Sequence, residues 1–473
     1  MIKLREYQEK TISKLRYFMV NGIKKIIMCA PTGSGKTVMF SYMISKAIEK
    51  QNKCLILTHR TELLTQAGGT LEKFGLSATI VNPKNKNLDF NQMLYIAMTK
   101  TVMARIEKKS YQDWLKSFNL IIIDESHLQD FNTMFEYLNK DTFVIGATAT
   151  PERKGNQSCL SDFYKGLVNE ITIDELIQLG FLSTPHSFGV TVDLSNIKTK
   201  AGDYDNEMVG DLFEKMQLYE GVYKNYQRLT PNKKGIVFAP NVKASKSLVE
   251  KLSKKGLPIK HVDGTTSENE RKEILKWFKE TPNALVSNVG ILTAGFDEDT
   301  IEVVILYRAT KSLPLFLQMV GRGSRVNESK KDFYILDFGN NIQRHGFWED
   351  NRQWSLVKKP KNKGIAPVKD CKCGALLRLN IKICPYCGNV FSDPKPKETI
   401  EVLLEKLKRT DIEAYKHYQK FMKLEDKSIQ KGFKKGWILY QLKTVKDFQY
   451  YEKYKNYKQG WANFQIKERN IFQ

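Results

Sequence analysis

The stretch that most constrains this chain is Met28 to Thr37, Met-Cys-Ala-Pro-Thr-Gly-Ser-Gly-Lys-Thr. A short apolar run, Ile26-Ile27-Met28, leads into it and reads as a buried strand. Val38 to Ile48 follows, with apolar residues at helical spacing. Strand, Gly-rich turn, Gly-Lys-Thr and helix together are the layout of a phosphate-binding loop. Gly33 and Gly35 let the Thr32-Gly33-Ser34-Gly35 backbone turn tightly, so that its N–H groups point into one concavity. The helix N-terminus adds partial positive charge there. Lys36 can reach the β- and γ-phosphates, and Thr37 can offer a hydroxyl to Mg²⁺. The general pattern begins with a Gly separated by four residues from the Gly-Lys pair; this chain has Ala30 at that position.

A second constraint comes about ninety residues later. The apolar run Leu120-Ile121-Ile122-Ile123 ends in Asp124-Glu125-Ser126-His127. A carboxylate at the C-terminal end of a buried parallel strand stands where an open α/β sheet presents ligands. Asp124 is placed to hold Mg²⁺ through water, and Glu125 to orient or deprotonate an attacking water. His127 can link this site to the next motif.

Other segments take their meaning from these two. Leu4-Arg5-Glu6-Tyr7-Gln8 opens an amphipathic helix, and the Gln8 amide offers both donor and acceptor to an adenine edge. Lys53 to Thr58 reads as a strand followed by His59-Arg60-Thr61-Glu62, a helix start. Arg60 suits a backbone phosphate, or equally a solvated helix terminus. Leu94 to Met98 ends at Thr99-Lys100-Thr101, with the same two readings for Thr99. Phe143-Val144-Ile145-Gly146 leads into Ala147-Thr148-Ala149-Thr150-Pro151.

In this order the motifs resemble superfamily 2 helicases of the DExH type. The Ala-Thr-Ala-Thr-Pro form looks more like DNA-repair and restriction-type translocases than DEAD-box RNA helicases. The resemblance implies two tandem RecA-like parallel-sheet domains, with ATP and Mg²⁺ between them. The second half carries the matching alternation of strands and helices. The resemblance assigns Ile291 to Asp297 to nucleic-acid backbone (Thr293) and to the nucleotide's ribose (Gly295, Asp297). Gln318-Met319-Val320-Gly321-Arg322-Gly323-Ser324-Arg325 matches the pattern Gln-x-x-Gly-Arg-x-x-Arg. Arg322 and Arg325 would reach across the cleft to the γ-phosphate, and Gln318 joins them as a catalytic candidate. The same resemblance extends the nucleotide set to Arg5.

The chain ends in two further parts. Cys371-Lys372-Cys373-Gly374 and Cys384-Pro385-Tyr386-Cys387-Gly388 supply four thiolates for structural zinc, although the first pair is Cys-x-Cys. A helicase core followed by such a ribbon resembles RadD-type helicases and related phage proteins. Residues 393–473 are basic and aromatic and contain a repeat: Lys431-Gly432-Phe433-Lys434-Lys435-Gly436-Trp437 recurs as Lys455-Asn456-Tyr457-Lys458-Gln459-Gly460-Trp461. Trp437 and Trp461 suit stacking on unpaired bases, or the core of two small helical units. The expected domains are 1–171, 172–349, a linker 350–370, a ribbon 371–392 and a mostly helical tail 393–473. Ser195 to Asp211 reads as an exposed loop.

The balance of 76 Lys+Arg against 52 Asp+Glu, a net charge of +24, suits a polyanionic partner. No apolar run is long enough to span a bilayer and no leader opens the chain, so a cytoplasmic protein is expected, nucleoid-associated or of phage origin. The expectation is an ATP-dependent DNA helicase or translocase in replication, recombination or repair. Its track would be single-stranded or branched DNA, and a single-strand-binding or other replication protein is a candidate partner. The alternatives are an RNA helicase of the same fold and an ATP-regulated binding or annealing protein.

Overall fold

The computed structural model describes residues 3–59, 68–85, 88–128, 131–153, 159–190, 192–293, 296, 298–357, 368–378 and 381–391. In the C-terminal part it describes 417, 420–421, 424–425, 427–428, 437–455, 457 and 460–469. Two units emerge, residues 1–387 and 388–473.

The first unit contains two parallel sheets. Lobe 1 is built on β1 (Lys25–Cys29), β2 (Cys54–Thr58), β3 (Thr79–Val81), β4 (Leu94–Met98), β5 (Leu120–Asp124), β6 (Phe143–Thr148) and β7 (Gly166–Val168). Their order is β3-β4-β2-β5-β6-β1-β7, and every pairing is parallel. The uninterrupted apolar runs are explained by burial on both faces. Ile26, Met28, Ile56 and Ile122 enter one core with the helices Glu6–Val20 and Lys36–Ile48. Their neighbours Ile27, Cys29, Leu57 and Ile123 enter a core on the other face, with Tyr111 and Trp114. Burial pushes the Cys29 and Cys54 thiols up to about 12, which leaves them inert packing groups.

The crossover begins with a capping box. The Thr172 side chain accepts from Glu175 N–H, and the Glu175 carboxylate returns to the Thr172 N–H, starting the helix Ile173–Gln178. Lobe 2 then has β8 (Thr184–Gly189), a hairpin β9 (Thr199–Lys200) and β10 (Asp203–Tyr204), β11 (Gly235–Phe238), β12 (Ile259–Val262), β13 (Leu285–Asn288), β14 (Val303–Leu306) and β15 (Asp332–Asp337). The main sheet runs β12-β13-β11-β14-β15-β8, again all parallel.

Residues 195–211 are largely exposed up to Gly202, as their polarity suggests, but they are not a loop throughout. They form the hairpin and the start of the helix Asn206–Lys215, capped by Asp205. Asp203 accepts from Thr310 Oγ1 (2.6 Å) and Lys311 N–H (2.5 Å), so distant partners, not apolar period, hold this segment.

Within 350–370, described as far as 357 and again from 368, Trp354 packs against the cores of both lobes. A last pair, β16 (Val368–Asp370) and β17 (Leu376–Arg378), is antiparallel. In the second unit the helices Trp437–Gln441, Val445–Lys455 and Trp461–Glu468 surround Phe421, Ile438, Leu442, Phe448, Tyr451 and Ala462. Residues 431–436 of the first repeat copy lie outside the described residues; in the second copy Gly460 precedes the helix Trp461–Glu468. No helix among the described residues is long and apolar enough to cross a membrane.

Candidate nucleotide site and cysteine cluster

Strand register assembles the first half of the site. Cys29 of β1 lies opposite Thr148 of β6, and Asp124 of β5 opposite Ala147 of β6. The loop after β1, the carboxylates after β5 and the turn after β6 thus share one C-terminal edge.

Gly33 and Gly35 have φ of 85° and 77°, the left-handed conformations that the tight turn requires. Lys36 Nζ donates to the carbonyls of Ala30 (3.0 Å) and Pro31 (3.2 Å), at the mouth of the loop. Thr32, Gly33, Gly35, Lys36 and Thr37 are half-buried and Ser34 is buried. Tyr7 Oη (2.7 Å) and Gln8 Nε2 (3.1 Å) both donate to the Ser34 carbonyl, and Gln8 Oε1 accepts from Arg5 N–H. In this arrangement the Gln8 amide holds the loop through Nε2 and caps its own helix through Oε1. The Arg5 guanidinium lies 3.8 Å over the Phe181 ring.

Burial, then the neighbouring Glu125 carboxylate, push Asp124 up to about 7, while the Lys36 ammonium pulls the other way. Glu125 has φ of 52°, an uncommon conformation for a non-glycine residue and a cost of about 1–3 kcal/mol. Its Oε2 is buried, lies 3.4 Å from His127 Nδ1 and has no hydrogen-bond partner among the described residues. His127 Nδ1 is also 2.9 Å from Thr148 Oγ1, joining the carboxylate turn to the turn after β6. A raised carboxyl, an orphaned carboxylate oxygen and a lysine folded onto its own loop fit a magnesium-bound phosphate.

Lobe 2 closes on this edge. A methyl group at Gly321 would lie 3.2 Å from Thr32 Cβ, so the turn carrying the arginines abuts the phosphate loop. Arg322 Nη1 donates to the Phe296 carbonyl (2.5 Å). Gln318 is half-buried on the helix Leu313–Val320, and Arg325 is half-buried just beyond it. Gly295 and Asp297, expected at the ribose, and Arg60 lie outside the described residues.

Residues 1–153 match the family model described as "Type III restriction enzyme, res subunit", and residues 216–327 match "Helicase conserved C-terminal domain". The two matches cover both halves of the site in the order found in the structure. The chain belongs to the superfamily 2 helicases. This helicase is 28% identical over 427 residues to a "51.5 kDa protein" of Lactococcus phage (isolate 7-9), covering 88% of each chain. It is 30% identical to the "Putative ATP-dependent helicase IRC3" of Saccharomyces cerevisiae, covering 71% of this chain and 51% of that one. The helicase therefore spans about half of the yeast relative. In fold it is similar to a fragment of a putative HsdR subunit of a type I restriction enzyme from Vibrio vulnificus YJ016. The TM-score is 0.58, at 22% identity, over 72% of this chain and 65% of that one.

The remaining expected residues fall into place unevenly. Thr99 is buried and its hydroxyl donates to the Thr58 carbonyl, while the buried Thr293 donates to the Gly290 carbonyl. Trp437 and Trp461 both pack against the core of the tail. The four cysteines do converge, with all sulfurs within 4.8 Å of one another. Cys371 and Cys387 are 3.5 Å apart, and Cys373 and Cys384 3.7 Å, which suits the edges of a tetrahedron with metal–sulfur bonds of about 2.3 Å. Burial opposes the Cys384 thiolate, but the N–H groups of Tyr386 and Cys387 outweigh it and hold the thiol down to about 7. The donor set is compatible with zinc.

Residue patterns did not single out Tyr7, Phe181 or Leu182. Tyr7 adjoins Gln8, but nothing local marks it as a brace. Leu182 reads as ordinary helix-end packing, although a methyl group at Gly33 would come within 2.6 Å of its Cδ2.

Proposed function

We propose that this helicase hydrolyses ATP at the junction of its lobes and uses the cycle to move along, or separate, DNA. The observation that carries the reading is the approach of Gly321 to Thr32, which sets the Arg322–Arg325 turn against the phosphate loop. Lys36 would hold the β- and γ-phosphates, with Thr37 and Asp124 on Mg²⁺, which neutralises charge on the transferring phosphoryl group. Glu125 would orient the attacking water, and Arg322 and Arg325 would stabilise the transition state. Loss of such an arginine costs about 10³–10⁵ in rate. Zinc is assigned to Cys371, Cys373, Cys384 and Cys387.

DNA is favoured by the Ala147–Pro151 segment and by the restriction-enzyme family match. In the tail, Tyr440, Tyr457 and Phe464 are exposed, and the Arg469 guanidinium lies 4.7 Å from the Tyr440 ring. These rings, more than the packed Trp437 and Trp461, suit stacking on single-stranded bases. The cytoplasm, of a bacterium or of a phage-infected host, is the proposed setting.

The test is ATPase rate with single-stranded, duplex and forked DNA and with RNA, at one salt concentration. Stimulation by DNA and little by RNA is expected. Stronger stimulation by RNA would make this an RNA helicase of the same fold, and none by either would remove the motor reading.

A further inference from the structure

Five consecutive residues, Gly321 to Arg325, carry the two arginines, and four of their carbonyls are individually tied. The Gly321 carbonyl accepts from Ser324 Oγ (2.9 Å) and the Gly323 carbonyl from Lys330 Nζ (2.9 Å). The Ser324 carbonyl accepts from Ser183 N–H (2.7 Å), and the Arg325 carbonyl from Ser183 Oγ (2.9 Å). Behind them the turn is pressed on the sheet: a methyl at Gly323 would come within 2.6 Å of the Phe333 ring and 2.8 Å of Val304.

Ser183 does not belong to this turn. It belongs to the crossover between the lobes, whose preceding residues face the other half of the site. Leu182 lies against Gly33 of the phosphate loop and forms a bridge with Arg325, while Phe181 lies under the Arg5 guanidinium. Three successive residues therefore touch the N-terminal brace, the phosphate loop and the arginine turn.

Lys330 is unusual in another way. It is only 5% exposed, and its ammonium also donates to the Ile301 carbonyl (2.7 Å). Burial pulls it down to about 8, against the opposing influence of Asp299 and Glu302. An apolar stem would fill the same space without burying a charge. What the ammonium adds is the pair of carbonyl bonds that fix Gly323 between the arginines.

We propose that Ser183 and Lys330 are positioning residues for Arg322 and Arg325, holding the arginine turn in register with the phosphate loop. This rests on the arginine assignment in the proposed function, so the experiment includes that assignment as its own arm. Ser183→Ala, Lys330→Met, Arg325→Ala and the Ser183→Ala/Arg325→Ala double variant are made in the full chain. Nucleic-acid-stimulated kcat and KM, ADP affinity and thermal melting are measured for each.

Ser183→Ala removes one oxygen, so it is the decisive variant, and its melting is expected to fall by no more than a few degrees. Its kcat should fall roughly three- to tenfold, with KM and ADP affinity within about twofold. Lys330→Met should lower kcat at least as much. In the Arg325→Ala background, Ser183→Ala should cost clearly less than it does alone, because the part of its effect that runs through that arginine is already gone. An unchanged kcat in Ser183→Ala, or an equal loss in both backgrounds, overturns the inference while leaving the nucleotide site as proposed. Full activity in Arg325→Ala alone overturns the arginine assignment and the positioning role with it.

Discussion

Glu125 concentrates the residue-scale physics of the site. It holds a left-handed backbone and a buried carboxylate oxygen that has no hydrogen-bond partner among the described residues and lies 3.4 Å from His127 Nδ1. Strain of this kind persists only where surrounding structure imposes it, here β5 on one side and the turn toward His127 on the other. Lys36 sets the complementary charge. Lys36→Ala should abolish ATP hydrolysis and leave nucleic-acid affinity nearly unchanged, as read by parallel ATPase and filter-binding assays; retained hydrolysis would move phosphate binding elsewhere. A separate residue reports through pH. Burial, the dominant cause, pushes Glu349 up to about 7, with Arg378 pulling down. Its folded pKa lies above the unfolded one, so the folded chain binds the extra proton between about pH 4.5 and 7. The stability it contributes is present below that window and is lost as pH rises through 7. Glu349→Gln should therefore melt close to the parent at pH 5 and a few degrees, about 2–4 °C, above it at pH 8. A difference that does not change with pH would show that Glu349 is ionised throughout.

At the scale of elements, the cysteine cluster is sewn to lobe 2. Phe188 of β8 bridges Ala375, and Gly189 N–H donates to the Gly374 carbonyl (3.0 Å). Tyr386 Oη is 3.0 Å from His186 Nδ1, and Leu376 sits in the lobe 2 core. Arg378 pairs with Asp350 (2.6 Å) on the segment that continues to Trp354. One zinc per chain is expected by elemental analysis, and its removal by a chelator should lower the melting temperature of the ATPase core as well. A metal-free protein with unchanged melting would rule out the zinc assignment. The cysteine spacing was readable because knuckle geometry is local. The docking on β8 was not, since it depends on an edge strand nearly two hundred residues earlier. The hairpin of β9 and β10 escaped for a related reason: two-residue strands leave no apolar period, and Thr310 and Lys311 supply their partners.

At the scale of the whole molecule, charge and division of labour dominate. Residues 388–473 carry 19 Lys and Arg against 11 Asp and Glu. All the described nucleotide-site residues lie in the first unit. Truncation after Asp393 should leave basal ATPase intact, weaken single-strand binding, and flatten the dependence of log affinity on log salt concentration. Unchanged affinity and slope would remove the tail from the nucleic-acid surface. By itself the sequence picked out the candidate segments: the loop at Ala30–Thr37, the carboxylates at Asp124 and Glu125, Arg322 with Arg325, and the four cysteines. Each motif is a few residues whose roles follow from backbone turn, strand end or ligand spacing. Only the tertiary structure decided what holds those segments in place. Tyr7 and Gln8 on the Ser34 carbonyl, Leu182 against Gly33, and Ser183 and Lys330 on the arginine turn join residues far apart in the chain. Such contacts satisfy buried polar groups across strands and lobes, and no local pattern of residue types records which distant partner will be found.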